Sequence, residues 1–207
     1  IIVTHLTEVI KDNLSELLTR NELQKLLDEL RGEHEALIDD VVPEKVALGT
    51  LQKVLQNLLS ERVSIRDLPT ILEALSDMAG SRNLAAMTEI VRQRLGRQLT
   101  TQYNGPDGVV PIISLSASWE KEFSNSIVEQ GEDKQLAMSP DKVQAFLRAA
   151  RETFEKQLGA GAQPILLTST HTRPFARLLL HRSLPSIGVL SQAELHPKAR
   201  IKTLATI

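Results

Sequence analysis

A run of hydroxyl side chains that ends in a cation, Thr168-Ser-Thr-His-Thr-Arg173, contains the residue types best suited to bind a ligand. The preceding segment, Pro164–Thr168 (PILLT), predicts a buried strand, and Thr172 with Pro174 predicts the start of a helix. A strand that leads into a helix amino terminus presents backbone amides to an anion. We therefore expect at 168–173 either an anion site or ordinary helix capping by Thr172, which explains most of the pattern.

The other chemically suggestive patterns are incomplete. His34-Glu35 begins like a zinc-protease helix, but Ile38 stands where the second histidine is required. Gly159-Ala-Gly161 follows a predicted helix, whereas a phosphate loop precedes one, so we expect a turn there. Ser169 lacks the Gly-x-Ser-x-Gly elbow of a nucleophile. Metal-ligand spacing is missing among the remaining histidines, His5, His171, His181 and His196. We expect no enzyme activity, no bound metal and no cofactor.

Composition indicates a globular chain. The 207 residues are 42% hydrophobic, which suffices for a packed core, and the net charge of −2 argues against a general polyanion binder. The lack of cysteine excludes disulfide and thiolate chemistry and suits a reducing cytosol. No apolar run reaches the roughly 18 residues that a membrane helix needs. Because the sequence begins at Ile1 without a methionine, we expect a soluble fragment of a longer protein.

The charges and the turn residues divide the chain. Residues 1–96 have a net charge of −5 and residues 97–207 a net charge of +3. Between them, TTQYNGPDG contains Asn-Gly and Pro-Asp-Gly turn signals. The sequence predicts a helical domain over 1–97, a linker over 98–108 and an α/β domain over 109–207.

The first domain is expected to be organised around Leu48–Ala74, which contains two amphipathic helical patterns. Their apolar residues recur at three- and four-residue steps: Leu48, Leu51, Val54, Leu55, Leu58 and Leu59, then Leu68, Ile71, Leu72 and Leu75. Between the patterns, Val63 and Ile65 alternate with polar residues and predict one short strand-like segment. Ser64 is predicted to cap the second helix, with Asp67 near its positive end.

This helix–strand–helix arrangement resembles a winged helix and leaves two interpretations open. A DNA-binding regulator would place the second helix in the major groove, which requires cationic and amide side chains on its exposed face. That face instead carries acidic and hydroxyl residues: Asp67, Thr70, Glu73, Ser76 and Asp77. The other interpretation is an interaction module with the same geometry that binds no nucleic acid, and the acidic face favours it.

In the second domain, strand and helix patterns alternate. Strands are predicted at 109–115, 135–138, 164–168, 187–190 and 201–205, with helices between the first four and none between the last two. Pro111 is expected to place the first strand toward a sheet edge. In the helix that starts at Thr172, we expect Phe175, Leu178 and Leu179 to face inward. The predicted fold class is therefore multidomain α and α/β: an all-helical, winged-helix-like amino-terminal domain followed by a small α/β sheet domain.

Five segments carry a resemblance to a known family: THLTEVI at Thr4–Ile10, LGTLQKVLQNLLSERVSIRDLPTILEAL at Leu48–Leu75, EIVRQRLGRQ at Glu89–Gln98, PILLTSTHTRPFARLLL at Pro164–Leu180 and LSQAELHPKARIKTLATI at Leu190–Ile207. They resemble the flagellar type III export-gate family (the FlhA family), which is related to the export gate of virulence injectisomes. The resemblance implies the end of the upstream cytosolic subdomains, a helical third subdomain and an α/β fourth subdomain.

The resemblance also implies a function. In that family the cytosolic regions form a nine-membered ring at the cytoplasmic face of the bacterial inner membrane. The ring is a non-enzymatic docking platform for export chaperones with their substrates, contacts other export-apparatus proteins and orders substrate switching. The threonine of the THL motif lines a shallow apolar chaperone pocket, which assigns that role to Thr4. The other walls of the pocket belong to subdomains outside this sequence, so the site is half present here. The family implies no cofactor and no nucleic acid, and membrane contact only through a part absent here.

Overall fold

The computed structural model describes Ile10, residues 13–131 and residues 133–207. The chain divides into two compact units, Ile1–Leu95 and Gly96–Ile207, which we call the amino-terminal and carboxy-terminal units. Within the described ranges, no helix is both long enough and apolar enough to cross a membrane.

The described part of the amino-terminal unit is built from helices. Their bounds are α1 Leu14–Leu17, α2 Arg20–Val41, α3 Leu48–Ser60, α4 Leu68–Ser76 and α5 Leu84–Arg94. Side chains cap three of them, because the first backbone N–H groups of a helix have no partner within it. Thr19 accepts a hydrogen bond from the Glu22 amide, and Asn83 accepts one from the Ala86 amide. The predicted cap of α4 was wrong: Asp67, not Ser64, accepts the hydrogen bond from the Thr70 amide.

The core of this unit consists mainly of aliphatic side chains from the helices. The predicted stripes supply the buried residues Leu51, Val54, Leu55, Leu58, Leu68, Ile71, Leu72 and Leu75. Helix α2 adds Leu23 and Leu27 before a kink at His34, where φ is −130° and ψ is 33°. The predicted strand-like segment does not form: residues 63–67 have no strand geometry, and Val63 is buried as a single side chain. The described residues of this unit contain no strand that could pair with it, so no wing is formed.

The carboxy-terminal unit alternates helices and strands. It comprises α6 Gly96–Gln102, β1 Val109–Ser114, α7 Ala117–Ser126, β2 Ile127–Gln130, β3 Asp133–Leu136, α8 Pro140–Gly159, β4 Ile165–Thr168, α9 Arg173–Leu180, β5 Val189–Ser191, a 3-10 turn Gln192–Glu194 and β6 Arg200–Thr206. The segment predicted as a linker, 98–108, lies within this unit, and its first five residues belong to α6, where Leu99 is buried.

The main sheet is parallel, with the order β5-β4-β1-β6. Strand β1 therefore lies in the interior of the sheet, and the prediction that Pro111 places it at an edge was wrong. The ladder between β1 and β4 covers only Ile112–Ser114, so Pro111 lies beyond its end, where a missing N–H costs little. Strands β2 and β3 form a separate antiparallel hairpin.

The core of this unit combines aliphatic strand residues with three phenylalanines. Ile113, Leu166 and Val189 come from β1, β4 and β5. The ring of Phe146 contacts two aromatic rings of α7 edge to face, with centroids 5.4 Å from Trp119 and 5.1 Å from Phe123. Such edge-to-face pairs contribute beyond their buried area, so they help to hold α7 against α8.

Helix α9 has an unusual inward face. Its buried stripe consists of Arg173, Ala176, Arg177 and Leu180. The prediction that Leu178 faces inward was wrong, because this side chain is 63% exposed. The two arginines can occupy the inner face because backbone carbonyls accept their hydrogen bonds: Arg177 donates to Pro185 and Ile187, and Arg173 donates to Val189.

Candidate functional site

The hydroxyl-rich turn between β4 and α9 contacts a carboxylate from another helix. Glu120, in the first turn of α7, accepts hydrogen bonds from the Ser169 amide at 2.7 Å, the Ser169 hydroxyl at 2.7 Å and the Thr172 hydroxyl at 2.5 Å. These bonds join residues 49 and 52 positions apart in the sequence. The turn therefore binds an anion, as its composition indicated, but that anion is the protein's own Glu120.

The sequence left two possibilities for 168–173, an anion site and helix capping by Thr172, and the contacts of Glu120 bear on both. Capping by the Thr172 side chain does not occur, because that hydroxyl makes no hydrogen bond to the first-turn amides of α9 and donates to Glu120 instead. The Ser169 hydroxyl accepts from the Thr172 amide at 3.3 Å, so Ser169 closes the turn. Because Glu120 accepts bonds from the amide and hydroxyl groups of the turn, they are not presented to an external anion.

The cation at the end of the run, Arg173, points into the unit. Its side chain is 1% exposed, and its Nε lies 3.8 Å from Oε1 of Glu194, which is fully buried. Oε2 of Glu194 also accepts a hydrogen bond from the Ser191 amide at 2.6 Å. The pair joins α9 to the turn after β5, so its role here is structural. Helix α6 packs closely on the same turn: a Cβ on Gly96 would lie 2.6 Å from the Glu194 carbonyl oxygen.

The described residues assemble no recognisable catalytic or metal site. Ser169 is bonded to a carboxylate and a hydroxyl, without a histidine to act as its base. The Nδ1 atom of His181 lies 3.2 Å from Nη2 of Arg177, and Nδ1 of His196 accepts from the Lys198 amide. In the described ranges, no three His, Cys, Asp or Glu side chains are arranged to hold a metal. Gly161, with φ of 84°, lies in the turn between α8 and β4, as predicted.

We expect Glu120→Ala to lower the free energy of unfolding of the carboxy-terminal unit by about 2 kcal/mol, because several polar groups of the turn lose a charged acceptor. The measurement is urea unfolding followed by the fluorescence of Trp119, the only tryptophan of the chain. Glu122→Ala on the same helix is the control, since its ion pair with Lys142, at 3.2 Å, is partly exposed and contributes little. Equal effects of the two substitutions would contradict the assigned role of Glu120.

A surface groove lies between α8 and α9, and we call it the α8–α9 groove. Its volume is about 720 Å³. It is lined by Val143, Gln144, Leu147, Arg148, Arg151 and Glu152 of α8 and by Leu178, Leu179, Arg182 and Ser183 at and after α9. All of these residues are half-buried or exposed, so the groove is open to solvent.

Of the two other sites considered from the sequence, one lies outside the described residues and the other lies within them. Thr4, the predicted chaperone-pocket residue, lies outside the described residues. Helix α4, which would be the recognition helix in the alternative DNA-binding interpretation, has exposed Glu73, with exposed Asp67 and Asp77 at its two ends. Asp77 forms an ion pair with Arg94. An exposed acidic face would repel phosphate, so the helix does not favour the DNA-binding interpretation.

Comparison with known proteins identifies the family. Residues 1–200 match the FHIPEP family profile. The chain belongs to the FHIPEP family. Its relatives include the flagellar biosynthesis protein FlhA of Caulobacter vibrioides, 46% identical over 208 residues, and that of Escherichia coli, 37% identical over 208 residues. Both alignments cover 100% of this chain but only 30% and 29% of the relatives, so the chain spans about three tenths of their length.

Solved structures share the fold of this FHIPEP-family chain. Chlamydia pneumoniae CdsV has a TM-score of 0.89 at 27% identity, over 100% of this chain and 59% of that one. CdsV in its complex with CdsO gives 0.88 at 26% identity, over 100% and 61%. The nonameric EscV cytosolic domain from the type III secretion system gives 0.83 at 26% identity, again over 100% and 61%. The fold is thus that of type III export-gate cytosolic domains.

Sequence reasoning missed the partners of the hydroxyl run and the buried arginines. Glu120 has no local signal, because its partners lie 49 and 52 positions away in the sequence. Glu194 had a local signal, since Ser191-Gln-Ala-Glu194 is a capping-box pattern and its carboxylate accepts from the Ser191 amide. Only its contact with Arg173 has no local signal. The arginines had a signal: Arg173, Ala176, Arg177 and Leu180 follow helical spacing, which marks one face of α9. The amino-terminal unit also contains a buried arginine: the side chain of Arg92 is 2% exposed, and its Nη1 lies 3.1 Å from Oε2 of Glu61.

Proposed function

We propose that this FHIPEP-family chain is part of the cytosolic region of a flagellar type III protein export gate. It would act as a non-enzymatic docking platform for export chaperones with their substrates and take part in substrate switching. The observation that carries the proposal is the 46% identity to a flagellar biosynthesis protein across the whole chain. The full-length protein would be embedded in the bacterial inner membrane, with this region at its cytoplasmic face.

The two units fit the subdomains expected from the family. The amino-terminal unit would hold the end of the upstream subdomains and the third cytosolic subdomain, and the carboxy-terminal unit would be the fourth. The predicted boundaries, 1–97 and 109–207, differ from the division at Leu95 and Gly96 mainly because α6 packs on the 3-10 turn after β5. On this proposal, each unit offers a rigid surface for partners and does not catalyse a reaction.

The partners would be other proteins of the export apparatus and further copies of the same chain. Relatives provide the support: CdsV has been solved in complex with CdsO, and the EscV cytosolic domain is nonameric. We therefore propose a homo-oligomeric ring, nonameric by this similarity. Heterologous contacts that close into a ring need two different complementary surfaces on each copy.

Within this proposal, Thr4 contributes to the chaperone pocket. In the complete cytosolic region, Thr4→Ala is expected to weaken binding of a substrate-loaded flagellar export chaperone at least tenfold. A shallow apolar pocket offers few contacts, so the loss of the threonine methyl and hydroxyl groups removes a large share of them. Isothermal titration calorimetry measures the change.

Thr7→Ala, three residues further along, is the matched control and should bind as the unmodified region does. If Thr4→Ala and Thr7→Ala both leave the affinity unchanged, Thr4 is not part of the pocket. If the unmodified cytosolic region binds no export chaperone, the docking-platform proposal itself is wrong.

A further inference from the structure

Helix α9, which forms one wall of the α8–α9 groove, buries two arginines and exposes a leucine. In an isolated globular unit the reverse is usual, since leucine is commonly buried and arginine exposed. Here Arg173 and Arg177 are enclosed within the unit, whereas Leu178 is 63% exposed. Leu178, Leu179, Leu147 and Val143 all line the groove and give it an aliphatic floor. An exposed apolar surface with a polar rim is typical of a protein-binding site.

The rim of the groove is cationic. Arg148, Arg151 and Arg182 are exposed and border the apolar floor. Among the residues that the structure describes, no carboxylate lies within 4.0 Å of these three guanidinium groups. Glu152 is the only acidic residue among those that line the groove. The rim thus offers three arginines that remain available to pair with carboxylates of a partner.

We propose that the α8–α9 groove is a docking site for an acidic amphipathic α-helix of a partner protein. The apolar floor would receive a stripe of leucine-like side chains, and the arginine rim would pair with glutamate or aspartate beside that stripe. A groove between two helices suits a third helix, because ridges of side chains pack into such grooves. A small-molecule site is less consistent, since no lining residue is a buried polar group that would orient a ligand.

This surface goes beyond the proposed chaperone docking at Thr4. The α8–α9 groove lies wholly within the carboxy-terminal unit, and its composition alone defines the class of partner. It therefore remains testable even if Thr4 proves to have no role. Likewise, if the groove binds no helix, the docking-platform proposal is unaffected.

The test uses the 207-residue chain and a fluorescein-labelled helical peptide of three heptads, with leucine at the a and d positions and glutamate at e and g. Fluorescence anisotropy at low salt should show saturable binding that weakens as salt is raised. Leu178→Asp, and separately the double variant Arg148→Glu with Arg182→Glu, should each weaken binding at least tenfold. Lys121→Glu with Lys134→Glu, the same charge change at exposed positions outside the groove, should weaken it less than threefold.

Circular dichroism and Trp119 fluorescence verify that each variant remains folded, and all the substituted residues are exposed. Several outcomes would overturn the proposal. These are the absence of saturable binding, equal binding of a scrambled peptide of the same composition, and equal losses in the groove and control variants. Sedimentation of the chain without peptide adds one more: self-association abolished by the groove variants alone would assign the groove to a second copy of the chain.

Discussion

Replacing Glu194 by glutamine is expected to lower the free energy of unfolding of the carboxy-terminal unit by roughly 3–5 kcal/mol. The substitution keeps the size of the side chain but leaves the buried Arg173 guanidinium without the carboxylate 3.8 Å away. An uncompensated charge in a buried site is strongly destabilising. Chemical unfolding followed by Trp119 fluorescence measures the change, since that residue lies in the same unit.

A double-mutant cycle separates the charge from the shape of the site. Combining Glu194→Gln with Arg173→Met removes both charges, so the double variant should be less destabilised than the sum of the two single variants. A coupling energy near zero would show that the two side chains do not interact, which would contradict the ion pair described here.

Phe146→Ala is expected to destabilise the carboxy-terminal unit by about 3–5 kcal/mol. The side chain is fully buried, and its removal leaves a cavity while abolishing the edge-to-face contacts with Trp119 and Phe123. Because Phe146 lies beside the reporter tryptophan, unfolding is best followed by far-ultraviolet circular dichroism. The Trp119 emission maximum of the folded variant should also shift, since the ring loses a neighbour.

Leu158→Ala on the same helix provides the matched control. This leucine is 42% exposed, so its truncation should change the free energy of unfolding by no more than about 0.5 kcal/mol. A loss for Phe146→Ala as small as that of the control would mean that the aromatic cluster does not form the core of the unit.

Periodicity predicted the helices and strands that bury their own apolar stripe. Leu51, Val54, Leu55 and Leu58 repeat at helical spacing and are all buried in α3, because local spacing and packing agree there. The strands β4 and β5 were also found from short apolar runs. In α9 the same reasoning failed at Leu178, because the inner face is occupied in part by Arg173 and Arg177. Hydrogen bonds to backbone carbonyls make that possible for Arg177.

The candidate sites were less accessible to sequence reasoning than the fold. The hydroxyl run at 168–173 left an anion site and capping by Thr172 open and favoured capping, which does not occur. The carboxylate that binds there instead depends on how α7 packs beside the turn. Glu120 is 49 residues away from Ser169, and local patterns do not report contacts at such separations. The α8–α9 groove likewise combines residues from two helices that are separated by β4. Only the folded arrangement brings the arginine rim and the aliphatic floor together.

The position of β6 has a consequence for biosynthesis. Strand β1 lies between β4 and β6, and Val109, near the beginning of the carboxy-terminal unit, pairs with Arg200, near its end. During translation, the backbone edge of β1 that faces β6 therefore stays unpaired until nearly all of this unit has left the ribosome. Open strand edges are prone to wrong pairing, so this edge of β1 is exposed to that risk until β6 emerges.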